Sequence, residues 1–516
     1  AGFILNPLYD DLSDPYLIND LSKAKSIILS TISDNGKIGI FMDYDADGVC
    51  AGAILYKTFK YLGGNCVYYV SQRNEGYGLN KKAIDNFHNQ GVNLIITVDC
   101  GIKNIEEVNY ANILGINVVI TDHHLIGDSL PKAKALVHPM LGSGKAFKYY
   151  SGAGVAFQLS RALLDDRQQV KWFLDLAAIS TIADIVPLVG DNRILAKYGF
   201  LVLNKTKNIG LKSLIKEAGL EDLKIGSYEV GYILAPRLNA AGRIAKPEDS
   251  FKLLITNSKN EAETLSAKLN QHNLTRQKQL SESVEEAFSI IAKERLFLKN
   301  IIIVKSNWAE GIIGLIAGKI TNQYNRPSIV FTQTDGRLKG SARSISSIDI
   351  VHKLSKFDDL LLSFGGHKQA AGLSLEKDKF DDFKKSIESD FEKVKKDSFK
   401  KELIIDVLTS IDKIDLTLAK KIEQLAPFGM GNPYPIIGLH GVFLNKIRFV
   451  GKDGDHMSLF VCDQDRMCKA ILFGYDHSIF EIEEGEKYDI AFKAVVDRWN
   501  SKEKINLHIV DVKKNK

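Results

Sequence analysis

Cysteine is scarce in this sequence. Its 516 residues include five cysteines, an odd number, with no C-x-x-C pair and none spaced from a histidine as in a zinc finger. These features exclude a disulfide framework, and we expect a reduced, cytoplasmic protein. No apolar run reaches the ~18 residues that span a bilayer, because Asp184 and Lys319 interrupt the longest two. No basic stretch leads into an apolar one at the start, so we expect neither a membrane segment nor a signal peptide.

A strong charge of one sign is also missing. Lysine and arginine number 68 and aspartate and glutamate 63, which gives a net charge of +5. This balance permits a polyanionic partner without requiring one. With 45% hydrophobic and 25% charged residues, the composition is that of folded globular chains and excludes wholesale disorder. At ~100–200 residues per domain, we expect three or four domains.

The first quarter of the chain alternates short apolar runs with amphipathic stretches. The runs lie at residues 37–42, 66–70, 93–98 and 117–121, and a helix is predicted at 49–62. Strands that are apolar throughout, with helices between them, indicate a parallel sheet covered on both faces. Polar residues gather directly after these strands. That edge of an open α/β sheet is where sites form.

The remaining chain predicts three further regions. Residues 150–255 show mostly helical spacing, and 260–293 contain no proline or glycine, which predicts one helix ~50 Å long. Strands at 300–304, 328–332 and 372–375 and a helix opening near Gly311 indicate a second α/β segment. From residue 403 the texture changes to short alternating runs, at 403–406, 441–450, 457–462, 469–473, 488–496 and 505–512. This texture is typical of a β-barrel.

Carboxylates and histidines cluster after three of the predicted strands. Their positions are Asp43, Asp45, Asp47, Asp99, Asp122, His123 and His124. So many carboxylates at one edge repel one another unless a cation lies between them. Mixed carboxylate and imidazole ligands suit Mn²⁺ better than Mg²⁺, which remains the alternative. The number of ligands suggests two ions, ~3.5–4 Å apart, the usual device for attacking a phosphorus centre with water.

A simpler interpretation exists for each residue taken singly. An aspartate after a strand is often only the N-cap of the next helix. Asp43 is the weakest ligand candidate and fits an orienting role, and Asp122 can cap a helix or fix a histidine tautomer. A haloacid-dehalogenase-like phosphatase with Asp43 as nucleophile is a further alternative, but it leaves the Asp-His-His triplet unexplained.

Several motifs carry a family resemblance. The segments DYDADGVCAGAIL (43–55), VDCGI (98–102) and TDHH (121–124) resemble the DHH phosphoesterase superfamily. Within it, the chain closely resembles the RecJ family of single-stranded-DNA exonucleases. That likeness rests on RNEGYGL (73–79), TIADIVPL (181–188), PRLNAAGRI (236–244), FGGHKQAAGL (364–373) and LAPFGMGNPYP (425–435), and covers nearly the whole chain.

The resemblance implies a domain order. Residues 1–255 would form a DHH catalytic domain with a parallel sheet, and 256–296 a connecting helix. A DHH-associated substrate-binding domain at 297–400 and a nucleic-acid-binding OB-fold barrel at 401–516 would follow. A gap between the catalytic domain and the DHH-associated domain would be wide enough for one strand and too narrow for duplex.

The resemblance also assigns roles to residues. Asp45, Asp47, Asp99, His123 and Asp184 would bind metal, with Asp43 as a further candidate and His124 beside the ions and the phosphate. Asp184 is assigned by the resemblance alone, since spacing reads it as a helix end. Substrate binding falls to Arg73, Tyr77, Arg243, Ser341, Arg343, Gly366 and His367.

The arginines suit a pocket for a terminal 5′ phosphate. Arg73, Arg243 and Arg343 are predicted in loops with small neighbours, where a guanidinium can bind phosphate oxygens in pairs. Their simpler interpretation is a surface salt bridge. Gly366 and His367 are predicted in a loop of the second α/β region. Tyr77 can stack on a base or serve only in packing.

The implied activity is 5′→3′ hydrolysis of single-stranded DNA to 5′-mononucleotides, in repair and recombination. An oligoribonucleotide or cyclic-dinucleotide phosphodiesterase on the same core is the alternative, and a non-catalytic scaffold is a third hypothesis. The implied partners are single-stranded DNA with a 5′ end, a single-strand-binding protein and a helicase. We expect a monomer.

Overall fold

A computed structural model gives the fold of this protein. It describes residues 5–142, 144–165, 168–334, 336–451, 454–463, 466–475, 482–499 and 502–515. The chain forms two compact units. The larger comprises Pro15–Asp184 and Gly199–Glu402, and the smaller comprises Ala1–Asp14, Ile185–Tyr198 and Leu403–Lys516. In the described part of the chain, no helix combines the length and apolar character needed to cross a bilayer.

The larger unit begins with a parallel sheet of five strands. These are β1 (Lys37–Met42), β2 (Asn65–Val70), β3 (Leu94–Val98), β4 (Asn117–Thr121) and β5 (Ala135–Val137). Their spatial order is β2-β1-β3-β4-β5, and every neighbouring pair is parallel. The predicted parallel sheet is confirmed, but β5 was missed because it has only three residues. The chain turns from one side of β1 to the other between β2 and β3, so the β1–β3 edge is the topological switch point.

Helices cover this sheet on both faces. They are α1 (Leu21–Ser33), α2 (Ala46–Tyr61), α3 (Lys81–Asn89), α4 (Ile105–Ile113), α5 (Gly152–Leu163) and α6 (Leu174–Ala183). Helix α2 packs against α5 and α6 and is buried along most of its length. The predicted helix start at residue 49 is wrong. Helix α2 begins at Ala46 because the Asp45 side chain caps it.

A helical region follows and leads into one long helix. Its members are α7 (Gly190–Leu203), α8 (Ile209–Glu217), α9 (Ser227–Glu229), a π-helical turn (Val230–Leu234), α10 (Ala235–Ile244), α11 (Glu248–Ile255) and α12 (Lys259–Lys293). The long helix predicted at 260–293 is confirmed. Near its start α12 packs against α8, α10 and α11, and further along it packs against α13 (Glu310–Tyr324) and β6 (Ile302–Lys305). One continuous helix therefore contacts both halves of the larger unit.

The second half of the larger unit contains a mixed sheet. After β6 come β7 (Ser328–Thr334), β8 (Arg337–Arg343), β9 (Ser363–His367) and β10 (Ala370–Glu376), in the order β6-β7-β8-β10-β9. Only β6 and β7 are parallel. Helix α13 packs on β7 and β8, and the helices α14 (Ile350–Leu354) and α15 (Phe380–Glu392) contribute to the core that includes Phe331. Strands β8 and β9 were not predicted.

The smaller unit contains a closed β-barrel. After β11 (Val407–Thr409) and α16 (Leu416–Glu423) come β12 (Ile437–Val450), β13 (His456–Cys462), β14 (Met467–Leu472), β15 (Lys487–Trp499) and β16 (Lys502–Lys514). Strand β12 pairs with both β13 and β15, and β14 and β16 complete the ring. The predicted barrel is confirmed. A strand at 403–406 is wrong, because pairing with β12 begins only at Val407.

The LAPFGMGNPYP motif is anchored within this smaller unit. The Arg193 guanidinium donates hydrogen bonds to the carbonyl oxygens of Leu425 and Ala426, at 2.8 and 3.0 Å. The backbone N–H of Leu188 donates to the carbonyl oxygen of Met430 at 2.7 Å. The motif therefore owes its conformation to residues more than two hundred positions earlier in the chain.

Candidate metal centre and phosphate pocket

Carboxylates from two neighbouring strands meet at the switch point of the first sheet. Asp43, Asp45 and Asp47 follow β1, and Asp99 follows β3. Asp45 is the N-cap of α2, and its Oδ1 accepts hydrogen bonds from the backbone N–H groups of Asp47 and Gly48, at 2.9 and 3.0 Å. The capping interpretation therefore holds for Asp45. Capping uses one of its two oxygens and leaves the other for a second role.

Asp47 is fixed by donors from two other helices. Its carboxylate accepts the backbone N–H groups of Gly152 and Ala153, both at 2.7 Å, and the Ser180 hydroxyl at 2.6 Å. The first two lie at the start of α5, where the helix dipole favours an anion. Asp47 is 2% exposed, so these three hydrogen bonds hold a buried charge in one orientation. None of the three donors was identified from the sequence.

Asp99 and His123 face each other without forming a hydrogen bond. His123 Nε2 lies 3.1 Å from Asp99 Oδ1. Both atoms are buried, and neither has a hydrogen-bond partner among the described residues. A buried polar atom with no partner is costly and calls for an explanation. Two such atoms facing a common point are explained by a shared cation.

Further ligand atoms lie around the same point. His123 Nε2 is 3.7 Å from both Asp47 Oδ2 and Asp184 Oδ2, and Asp184 lies at the carboxyl end of α6. Each of three groups of residues has ligand atoms within 4.8 Å of one another. These groups are Asp99, His123 and His124; Asp47, His123 and Asp184; and Asp43, Asp45 and Asp99. We call Asp43, Asp45, Asp47, Asp99 and Asp184 the acidic cluster. The three ligand groups overlap at Asp99 and His123, which fits two adjacent ions better than one.

Burial and mutual repulsion perturb the pKa values of the acidic cluster. Burial raises the pKa of Asp43 to about 7, with a contribution from Asp45. Burial also raises the pKa of Asp99 well above its usual range, and the neighbouring carboxylates of Asp47 and Asp45 raise it further. The pKa of Asp184 rises for the same two reasons. Burial lowers the pKa of His123, so its ring favours the neutral form that binds metals. These donors therefore fit divalent cations.

Asp122 positions the two histidines and does not join the acidic cluster. Its carboxylate accepts the backbone N–H groups of His123 and His124, at 2.7 and 3.1 Å, and lies 2.8 Å from His124 Nδ1. Burial alone would raise its pKa, but the hydrogen bond and charge of His124 outweigh burial and lower the pKa to about 2. The interpretation that Asp122 fixes a histidine tautomer is supported by this geometry.

His138, which received no role from the sequence, supports the same turn. It is fully buried directly after β5, and its Nε2 lies 2.9 Å from the carbonyl oxygen of His124. The backbone N–H of Met140 donates to its Nδ1 at 3.2 Å, so Nε2 carries the proton and donates to His124. A lone histidine after a three-residue strand gave no signal in the sequence.

Tyr77 borders the centre. Its hydroxyl donates to the carbonyl oxygen of Asp99 at 2.9 Å and lies 2.8 Å from His124 Nδ1. The residue is 52% exposed, so its ring is open to solvent although its hydroxyl is held. Base stacking by Tyr77 stays a prediction that this exposure permits.

The structure corrects the predicted loop positions of the arginines. Arg73 begins a short 3₁₀ turn, Arg243 lies in the last turn of α10, and Ser341 and Arg343 lie on β8. Small residues suggested loops, but here they permit close packing. A Cβ at Gly311 would lie 2.4 Å from the carbonyl oxygen of Arg243.

Arg243, Ser341 and Arg343 converge on the start of α13. Arg243 Nη1 donates to the carbonyl oxygen of Gly311 at 2.8 Å, and Arg343 Nη1 donates to Ser341 Oγ at 3.2 Å. A Cβ at Gly314 would lie 3.0 Å from both the Arg343 guanidinium and Ser341 Oγ. Glycine at this position therefore leaves room for both polar groups. The Arg73 guanidinium lies 5.0 Å from the ring centre of Tyr44, beside the acidic cluster.

Gly366 and His367 lie on strand β9, so their predicted loop position is wrong. Gly366 has φ of +147°, and a Cβ there would lie 2.2 Å from the carbonyl oxygen of Ala370. Only glycine permits this close pairing. Burial lowers the pKa of His367, and the nearby charges of His124 and Lys103 lower it further. His367 is therefore close enough to His124 to respond to its charge.

Arg498 on the barrel, a residue that could contribute to a basic groove for a nucleic-acid strand, is already neutralised by carboxylates. Arg498 donates two hydrogen bonds to the Glu423 carboxylate, both at 2.7 Å, and a third to Glu503 at 3.1 Å. This fork leaves Arg498 poorly placed to bind a phosphate.

Three segments of the chain match known domain families. Residues 37–181 match the DHH family, N-terminal domain; residues 297–393 match the DHHA1 domain; and residues 405–511 match the RecJ OB domain. A parallel sheet with an acidic edge, a second mixed sheet and a barrel, in this order, thus define a DHH-type architecture.

The relatives give the particular family. The chain is 35% identical to the single-stranded-DNA-specific exonuclease RecJ of Bacillus subtilis over 524 residues, which is 99% of this chain and 65% of that protein. The chain thus spans less than two thirds of that relative. It is 32% identical to the Escherichia coli protein of the same name, over 96% of this chain and 90% of that protein. The chain belongs to the RecJ family of single-stranded-DNA-specific exonucleases.

A solved structure agrees in fold over nearly the whole chain. The crystal structure of RecJ in complex with Mn²⁺ from Thermus thermophilus matches with a TM-score of 0.86 and 28% identity, over 99% of this chain and 74% of that one. The Mg²⁺ complex from the same organism matches with a TM-score of 0.79.

Proposed function

We propose that this chain is a metal-dependent exonuclease that hydrolyses single-stranded DNA from its 5′ end and releases 5′-mononucleotides. Two divalent cations are its cofactors, with Mn²⁺ preferred and Mg²⁺ as the alternative. The cellular role is DNA repair and recombination. The curated relatives named above are single-strand-specific exonucleases, and the related crystal structures contain Mn²⁺ or Mg²⁺.

One observation carries this proposal. Asp99 Oδ1 and His123 Nε2 lie 3.1 Å apart, both buried, without a hydrogen bond to each other or to another described residue. Three further carboxylates with raised pKa values surround them. A cluster of this kind with a purely structural role would only destabilise the folded protein.

The residues divide the work of the reaction. Asp45, Asp47, Asp99, His123 and Asp184 would hold the ions, with Asp43 as a further ligand candidate. When bound, the ions supply an activated water and neutralise charge on the scissile phosphate. His124, oriented by Asp122 and Tyr77, lies where it can donate a hydrogen bond to that phosphate. Gly152, Ala153 and Ser180 keep Asp47 in place without further reorganisation.

Strand polarity would come from the phosphate pocket. Arg73, Arg243, Arg343 and Ser341 would bind the terminal 5′ phosphate, while Gly366 and His367 would contact the adjacent backbone. Tyr77 would stack on a base near the cleavage point. A pocket that binds the end of the strand places the first phosphodiester bond at the metal centre.

Domain borders and partners belong to the same proposal. The catalytic domain would cover residues 1–255, the connecting helix 256–296, the substrate-binding domain 297–400 and the OB-fold domain 401–516. The protein would act as a cytoplasmic monomer with a single-strand-binding protein and a helicase. The five cysteines, all buried, suit a reducing compartment.

A digestion experiment tests the function. Long single strands labelled at the 5′ or the 3′ end are incubated with Mn²⁺, Mg²⁺ or EDTA. We expect labelled mononucleotide at once from the 5′-labelled strand, slow shortening of the 3′-labelled strand, and no product with EDTA. Mononucleotide released first from the 3′ label, or cleavage in EDTA, would contradict the proposal.

The same assay separates the alternative. An oligoribonucleotide or cyclic-dinucleotide phosphodiesterase would prefer a dinucleotide over the long strand. The family membership of the chain does not favour this outcome. A scaffold without activity would leave every substrate intact.

A further inference from the structure

Four buried N–H groups lack an acceptor in one region of the larger unit. They are the Nε atoms of Arg73, Arg243 and Arg276 and the Nδ2 atom of Asn273, and none has a hydrogen-bond partner among the described residues. All four are donors. A set of buried donors without acceptors is complementary to an anion.

Arg276 is held in place by its own helix. It lies near the middle of α12, and its Nη2 donates to Asn273 Oδ1, one turn earlier, at 2.9 Å. Asn273 is 1% exposed, so this amide anchors the guanidinium on a buried face. The anchor engages one nitrogen and leaves the Nε–H free to bind a ligand.

The packing of α10 against α12 brings Arg276 close to Arg243. The Arg237 Nε donates to Asn270 Oδ1 at 3.1 Å, which joins the two helices. Arg243 and Arg276 each lie six residues beyond this contact. The two helices run in the same direction, because Arg243 lies against Gly311 and Glu286, further along α12, accepts a hydrogen bond from Trp308 Nε1 at 2.9 Å. Burial, together with the charges of Arg73 and Arg276, lowers the pKa of Arg243 to about 10. We call Arg73, Arg243 and Arg276 the arginine cluster.

Arg237, a neighbouring arginine, has a structural role, because acceptors within the protein satisfy its N–H groups. Arg237 uses its Nε for Asn270 and its Nη1 for the carbonyl oxygen of Ile233, at 2.7 Å. In the described part of the chain, no carboxylate forms an ion pair with a member of the arginine cluster. Like charges that are buried together and unpaired require a counter-ion.

We propose that Arg276, positioned by Asn273, is a phosphate-binding residue that contacts the terminal 5′ phosphate of the strand together with Arg73 and Arg243. This inference rests on the proposed function and adds a residue from the long helix to its pocket. A terminal phosphate carries up to two negative charges and three free oxygens, so it offers acceptors to several guanidinium groups.

Strand binding in EDTA tests this role without cleavage. Fluorescence anisotropy gives the dissociation constants of a 5′-phosphorylated and a 5′-hydroxyl oligothymidylate for the full chain. The ratio of the dissociation constant of the 5′-hydroxyl strand to that of the 5′-phosphorylated strand measures end recognition. Arg276→Gln should lower this ratio by about 10-fold or more, since a charged hydrogen bond is lost. Asn273→Ala should lower the ratio less, because the guanidinium stays but loses its anchor.

Lys278→Gln is the matched control. It removes the same charge from the same helix, but the Lys278 side chain is 79% exposed, so the ratio should stay at the wild-type value. An unchanged ratio in Arg276→Gln, or an equal loss for both strands, would overturn the inference. If Arg276→Gln does not fold, Arg276→Lys carries the test: a lowered ratio supports the role and an unchanged ratio overturns it. Failure of the proposed function would show instead as missing Mn²⁺-dependent cleavage.

Discussion

The acidic cluster and the arginine cluster lie side by side and carry opposite charges. The acidic cluster brings buried carboxylates together, which suits cations, and the arginine cluster brings buried guanidinium groups together, which suits an anion. Their support differs. Asp45 and Asp47 are fixed by backbone amides and a hydroxyl, whereas each member of the arginine cluster keeps a free Nε.

This difference indicates which ligand each cluster suits, a metal ion or a phosphate group. Metal ions need ligands placed to within fractions of an ångström, so preorganised carboxylates suit them. A phosphate group can be approached by longer side chains that adjust as it binds. A strand whose terminal phosphate lies at the arginine cluster and whose next phosphate lies at the ions satisfies both. The following predictions test this division of roles.

The largest effect should follow from removing a central ligand. Asp99→Ala should abolish cleavage, because it removes a carboxylate shared by two of the ligand groups. Binding of single strands in EDTA should change little, since the arginine cluster is intact. Asp128→Ala, at an exposed position nearby, is the control. An Asp99→Ala protein that still digests DNA would refute the metal assignment.

Crowding Asp99 should also impair the ions. At Gly152 a Cβ would lie 2.6 Å from Asp99 Cβ, so Gly152→Ala must displace that carboxylate. We expect about a 10- to 100-fold loss of activity, as for lost support of a metal ligand. Gly127→Ala is the control, because its nearest neighbour would be 3.8 Å away. Titration with Mn²⁺ should show weaker binding only in Gly152→Ala.

On the arginine side, Arg243→Ala should reduce end recognition and leave the ions intact. We expect the preference for a 5′-phosphorylated over a 5′-hydroxyl end to fall about 10-fold. Initial rates on the two strands give this preference. Arg337→Ala, an exposed arginine paired with Glu376, should leave it unchanged. A normal preference in Arg243→Ala would remove that residue from the pocket.

Metal removal should make stability depend on pH. The folded pKa values of Asp43, Asp45, Asp99 and Asp184 are raised, so the folded state binds more protons than the unfolded state between pH ~4 and about 7. In EDTA the free energy of unfolding should therefore fall as pH rises through this window, by on the order of 4 kcal/mol for the shift of Asp43 alone. Mn²⁺ should abolish this slope, and chemical denaturation at several pH values measures it. A slope of the opposite sign would contradict the raised pKa values.

The smallest effect should come from His138, which supports the turn that carries His124. His138→Leu removes the hydrogen bond to the carbonyl oxygen of His124 and should lower activity by about 10-fold, the lower end of the range for a supporting group. His138→Asn keeps an amide and should retain more activity. The two rates at saturating Mn²⁺ provide the comparison, and equal rates would remove His138 from this supporting role.

The sequence predicted the parts of the fold that rest on local pattern. Strands at 37–42 and 117–121 match the structure because each is an apolar run bounded by polar residues. The long helix matches because no proline or glycine interrupts it. Strands β8 and β9 were missed, since their small residues look like loop residues and their pairing is set by distant partners.

The candidate site was predictable only where its residues stand next to strands. Asp43 to Asp47, Asp99 and the two histidines follow predicted strands, so the sheet brings them together. Asp184 ends a helix, and only the family resemblance identified it. Ser180, Gly152 and Arg276 gave no signal, because their contacts arise from helices that meet only in the folded chain.

Gly152 has a consequence for other sequences of this architecture. Its missing side chain lets one helix start donate to Asp47 while touching Asp99. A sequence that keeps the Asp-His-His triplet but carries a bulkier amino acid at the equivalent position should have weakened ion sites. Inspection of this single position can thus mark copies with impaired metal binding before any assay.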